Sequence, residues 1–137
     1  MTFREKLLAF STLAGVIAAV APGAQASGIK LNYVEKSLSD PIVREIWADK
    51  IGEAEKLGSY APWAMVAEVT RPDGSKVYVS QLWAGNACSM KECPVRIFQN
   101  GELAASFMAC DATDSHVLSS TATSLLACDS AFPTGIR

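Results

Sequence analysis

The chemistry open to this chain turns on four cysteines, Cys88, Cys93, Cys110 and Cys128, and a single histidine, His116. One imidazole removes every metal site that needs two, and it leaves few routes to a general base near neutral pH. The cysteines lack the paired C-x-x-C spacing of a zinc site. A thiol nucleophile made from Cys110 or Cys128 beside His116 would have to stay reduced. No G-x-S-x-G turn and no phosphate-cradling glycine loop occurs. Asp111 and Asp114 can be drawn as a general acid and base for sugar cleavage, but in so short a chain they read as solvated loop residues. No nucleophile, base and orienting group can be named together, so the chain reads as a binder, not an enzyme, with no metal and no cofactor.

The first residues show where the cysteines would work. Arg4 and Lys6 form a basic start, Leu7 to Ala21 carries no charge, and Ala24-Gln25-Ala26 is the small-x-small pattern of a signal-peptidase cut. The apolar run is too short to span a bilayer, and no cysteine lies near the cut to carry a lipid. Residues 1–26 are therefore expected to be a signal peptide cleaved after Ala26. Residues 27–137 would then form one exported, periplasmic domain with no membrane anchor. Losing Arg4, Glu5 and Lys6 takes the formal charge from −2 to about −3. With no cluster of Lys and Arg, that balance argues against nucleic acid and anionic membranes and leaves a protein partner.

In an oxidising compartment two disulfides are expected. Three pairings can be drawn. Spacing favours Cys88 with Cys93, which bracket a four-residue loop, and Cys110 with Cys128 then follow by exclusion.

The elements that would hold these residues read as α+β. Ser27 to Ser39 is polar with scattered apolar residues, as in a surface arm. Asp40-Pro41 is an N-cap followed by proline at the first helical position. Ile42, Val43, Ile46, Trp47, Ile51, Ala54 and Leu57 then make one apolar helical stripe, with Gly58 as C-cap and Trp47 as its anchor to a sheet. From Trp63 the period changes to two. Arg71-Pro72-Asp73-Gly74 turns the chain into a strand from Lys76 to Trp83, and Asn100-Gly101 turns Val95–Gln99 into Glu102–Met108. Segments near His116–Leu118 and Leu125–Leu126 suggest a further strand or short helix. Asp129 to Arg137 reads as loop. The expected architecture is an N-terminal helix packed on an antiparallel meander sheet, stapled by two disulfides.

Between two of the predicted strands lies Asn86-Ala-Cys-Ser-Met-Lys-Glu-Cys-Pro94. Closing Cys88 to Cys93 makes a small ring that carries Ser89, Met90, Lys91 and Glu92. A covalent clasp lowers the entropy lost on binding, so such a loop suits entry into a polar, acidic cleft. By spacing alone, the plainer use of ending a strand or stiffening a turn accounts for the same ring.

With the apolar frame around Trp63-Ala64-Met65, Val77-Tyr78-Val79 and the Arg96-Ile97 strand, this loop resembles the Ivy family of periplasmic inhibitors of vertebrate-type lysozyme. The resemblance covers roughly residues 41–108. It implies that the Cys88–Cys93 loop enters the active-site cleft of a c-type lysozyme or related muramidase, and that the protein is a homodimer, although no exposed apolar stripe demands one. Glu92 matches the family's acidic position. Lys91 stands where the family places the histidine that reaches between the catalytic carboxylates. Ser89 and Met90 replace the family's lysine and proline, and the pair Cys110 and Cys128 lies outside its pattern. A lysine still presents a cation, but it is longer and more strongly hydrated than an imidazole. The alternative expectation is a periplasmic interaction protein without lysozyme inhibition, such as a toxin's immunity partner or an accessory factor of an envelope machine.

Overall fold

The structure, a computed structural model, describes residues 28–56 and 61–137. The expected signal peptide, and Leu57 and Gly58 at the expected helix end, lie outside the described residues. The elements run β1 (Ile29–Lys30), β2 (Val34–Ser37), α1 (Pro41–Ile46), α2 (Ile51–Lys56), β3 (Trp63–Thr70), β4 (Lys76–Trp83), β5 (Glu92–Gln99) and β6 (Glu102–Cys110). A 3-10 turn (Thr113–Ser115), β7 (Val117–Leu118), β8 (Ser124–Ala127) and β9 (Ser130–Pro133) complete the chain.

Local chemistry accounts for the large sheet. Thr70 pairs with Lys76 across the Arg71–Ser75 turn, in which Asp73 Oδ1 accepts from the Ser75 amide at 2.9 Å and Gly74 takes a φ of 90°. Asn100 and Gly101 both have positive φ, as a two-residue hairpin turn requires, and bring Gln99 opposite Glu102. The result is an antiparallel meander in the order β2-β3-β4-β5-β6.

Both faces of that meander are covered. On one, Val43, Ile46, Trp47, Ile51 and Ala54 of the helical segment pack with Ala64, Val66, Leu82 and Phe98. On the other, Val77, Val79, Val95 and Ile97 meet Leu118, Leu125 and Ala127 from a second antiparallel sheet, ordered β1-β7-β8-β9. Burying an aliphatic or aromatic side chain of this kind is worth about 1.5–3 kcal/mol. The central strand β4 therefore gains from both layers, with Val77, Val79 and Leu82 each wholly buried.

Four expectations need correction. The single helix is two, because the chain turns at Trp47–Lys50. Trp47 is wholly buried and donates its indole N–H to Ser80 Oγ of β4 at 2.9 Å, while Arg96 of β5 takes the Ile46 carbonyl at 2.9 Å. A carbonyl satisfied by a side chain no longer needs the next helical turn. The polar arm is instead two strands, one in each sheet, with Leu31 and Leu38 buried between and after them. The terminal loop contains β9, which pairs with β8 from Ser124↔Pro133 to Ala127↔Ser130. Beyond it Thr134 is buried and donates to the Ala122 carbonyl at 2.6 Å, and at Gly135 a Cβ would collide with the Ala104 carbonyl. The second sheet, finally, was not expected. Among the described residues no helix is long and apolar enough to cross a membrane.

Candidate functional site

β4 and β5 separate before they reach the loop that joins them. Their ladder stops at Gln81↔Val95, whereas the β5–β6 ladder continues to Glu92↔Cys110. The start of β5 is thus held by β6 alone, and the side chain of Gln81 fills the gap on the β4 side. Wholly buried, its amide nitrogen lies 3.2 Å from the Cys93 carbonyl, 3.0 Å from that of Ala109 and 3.1 Å from that of Cys110. Two hydrogens are shared among three acceptors. The Trp83 indole N–H, which can only donate, meets Gln81 Oε1 at 3.1 Å and so sets the orientation of the amide.

On this base stands the ring. Cys88 is bonded to Cys93, and Cys110 to Cys128, the pairing favoured by spacing. The Cα atoms of Cys88 and Cys93 are 4.1 Å apart. Inside the ring the Ser89 amide donates to the Glu92 carbonyl at 2.8 Å, and the Asp111 amide donates to the Lys91 carbonyl at 2.9 Å, one step beyond the β6 ladder. The Ala87 and Cys88 amides both donate to the Ala84 carbonyl, closing the turn that leads in. The ring's backbone is therefore bonded, and of its side chains only Ser89 is, its hydroxyl donating to the Glu92 carbonyl at 3.5 Å. Ser89, Lys91 and Glu92 are exposed and Met90 is 92% exposed. Neither the Lys91 ammonium nor the Glu92 carboxylate is engaged by another described residue.

Two features flank the ring. Trp63 and Trp83, directly opposite in the β3–β4 ladder, stack with ring centroids 5.4 Å apart at the same end of the sheet. On the helix side an open groove of about 220 Å³ is floored by Ala54, Leu82, Pro94 and Met108 and edged by Lys50 and Glu53.

His116 lies elsewhere, under the second sheet, and it is wholly buried. Its Nδ1 is 2.9 Å from the Tyr33 hydroxyl and its Nε2 is 2.9 Å from the Cys110 carbonyl. A carbonyl can only accept, so Nε2 carries the proton and Nδ1 accepts from Tyr33. Burial pushes the imidazole pKa down, against the opposing pull of the Cys110 carbonyl and Asp114. Burial also pushes the Tyr33 phenol up. Both sulfurs that a thiol mechanism would need are tied in the Cys110–Cys128 disulfide, and Asp111 and Asp114 are exposed.

Sequence reasoning passed over Gln81 and Tyr33. For Gln81 a signal exists, since Val77, Val79 and Gln81 share one face by alternation and a polar residue there faces the core. The partnership of Tyr33 with His116 spans 83 positions and carries no local signal. Comparison of the chain with protein-family models, with curated proteins and with solved structures finds no match.

Proposed function

We propose that this chain is an exported inhibitor protein, in the manner of the Ivy family it resembles, and that it plugs the acidic active-site cleft of a lysozyme-type muramidase with the Cys88–Cys93 ring. The observation that carries the reading is Met90, 92% exposed at the tip of a ring whose backbone is pinned by a disulfide and hydrogen bonds. A large apolar side chain left in water on a rigid loop gains when a partner covers it, and little ordering entropy is lost in doing so. Lys91 beside it offers an unpaired ammonium to a pair of carboxylates. The groove behind the ring, with Met108 and Pro94 on its floor, lengthens the surface that a cleft wall can meet.

The test is to purify residues 27–137 and follow lysis of peptidoglycan by a c-type lysozyme at rising molar ratios. Loss of lysis near equimolar inhibitor is expected. Undiminished lysis at large molar excess overturns the reading.

A further inference from the structure

The Cys110 carbonyl is where two parts of the molecule meet. From the ring side it accepts from Gln81, and the next residue, Asp111, donates its amide to Lys91. From the other side it accepts from His116, whose second nitrogen is held by Tyr33 and whose own carbonyl accepts the Leu31 amide at 3.4 Å. We propose that His116 is a pH-operated latch: neutral, it fastens β1 and Tyr33 to the strand end that anchors the ring, and protonated, it releases them.

The geometry favours the neutral imidazole. With Nε2 donating to a carbonyl, Nδ1 is, among the described residues, the acceptor that the Tyr33 hydroxyl hydrogen has. Adding a proton turns Nδ1 into a donor, so the Tyr33 hydroxyl must rotate to accept from it, its own hydrogen loses its partner in a buried site, and a cation loses its water. The groups around the ring cannot absorb that charge. Tyr33 stays protonated, the Cys110–Cys128 disulfide is uncharged, and Ser115 is neutral. Asp114 attracts the imidazolium from the 3-10 turn but is exposed, and Lys30 of β1 sets its ammonium on the Asp114 carbonyl at 2.8 Å, which opposes it. What yields is the weakest neighbour: β1 is held to β7 by only Ile29↔Leu118 and Lys30↔Val117. The latch rests on the proposed function only where it bears on inhibition, since it would make the ring firm near neutral pH and loose in acid.

Amide exchange of residues 27–137, expressed as protection factors, tests the latch without any partner. Between about pH 7.5 and about pH 5, protection of the Leu31 and Asp111 amides is expected to fall together by about tenfold, with the midpoint of the His116 ring titration. In His116→Gln, which keeps a donor and an acceptor but cannot titrate, protection should be flat. Should that variant not fold, Tyr33→Phe removes the bond that favours the neutral ring, and the midpoint should move to higher pH. Protection at Asp111 that ignores the His116 titration, or an unmoved midpoint in Tyr33→Phe, overturns the latch. Lysis at about pH 7.5, where the latch is closed, tests the inhibitor reading separately.

Discussion

Gln81 and His116 donate to the same oxygen, the Cys110 carbonyl, at 3.1 Å and 2.9 Å. One comes from the centre of the large sheet and the other from beneath the small one, and both are wholly buried. A carbonyl with two lone pairs takes both, so the end of β6 is fixed from two layers at once. The ring depends on that fixation, because β5 enters it with β6 as its only ladder partner.

Replacing Gln81 should therefore cost more than its size suggests. Gln81→Leu strands the Trp83 indole N–H and strips a donor from three carbonyls, a loss of about 1–3 kcal/mol in urea unfolding. Gln81→Glu should be worse at neutral pH, since a buried carboxylate would face three carbonyl oxygens. Its deficit should narrow in acid, where the protonated group regains one donor. Equal stability of the two variants at all pH values would remove this account.

The large sheet was legible because its turns announce themselves. Thr70↔Lys76 follows from Arg71-Pro72-Asp73-Gly74-Ser75, and counting back from it places Trp63 opposite Trp83, as observed. Asp40 and Pro41 begin α1 where their cap chemistry puts them, Asp40 accepting the Ile42 amide at 2.9 Å. The small sheet was not legible, since β1 and β7 have two residues each, and of those four only Leu118 is buried in the core with the strands of the large sheet. Its tight places fall on residues that do not advertise them, with φ of 63° at Ala122 and 55° at Cys128. The helix break was hidden because Trp47 fits an apolar stripe equally well on either side of it. In the ring, spacing suggested the clasp, but which backbone groups hold it depends on Gln81 and Asp111, which only the folded sheet brings together.

The two disulfides should separate stability from recognition. Loop-closure entropy for a bridge spanning five positions is worth roughly 2 kcal/mol, and for one spanning eighteen roughly 3 kcal/mol. Cys110–Cys128 also ties β6 to the end of β8, so its replacement by serines should lower the melting temperature more. Replacing Cys88 and Cys93 should lower it less and yet weaken partner binding more. The reverse ranking in paired melting and inhibition assays would make the short ring a structural staple.

Arg96 and Asp49 lead to a prediction in acid. The guanidinium grips both carboxylate oxygens, at 2.6 and 3.0 Å, while it lies over the Trp47 ring at 4.6 Å. That hydrogen bonding, with the Arg96 charge, lowers the Asp49 pKa from 3.8 to about 2. Unfolding then takes up a proton between these values, so the pair stabilises the fold above about pH 4 and is lost as pH falls through about 2. Asp49 is largely exposed, and solvent screening holds its worth to about 0.5–1 kcal/mol. Asp49→Asn should lose that amount at neutral pH and flatten the acid limb of urea stability against pH. An unchanged acid limb would mean that the pair does not persist in solution.

Lys91→Ala and Met90→Ala should leave stability within about 0.5 kcal/mol, because both side chains are exposed and neither makes a hydrogen bond or ion pair with a described residue. Each should weaken inhibition by about tenfold or more, equivalent to about 1.4 kcal/mol, if the two are the anchors of a buried contact. The two losses should differ in kind. That of Lys91 arises from charge and should shrink as salt is raised, whereas that of Met90 arises from apolar area and should not. Lys91→Glu sharpens the point, since it sets a like charge against carboxylates and should abolish inhibition while the melting curve stays in place. Lys91→His restores the imidazole that the Ivy family places there, and it should retain inhibition most fully just below about pH 6.5, where that imidazole is charged while the buried His116 is still neutral. If Lys91→Glu inhibits as well as the parent protein, the ring does not meet an acidic cleft and the partner must be sought among surfaces of other charge.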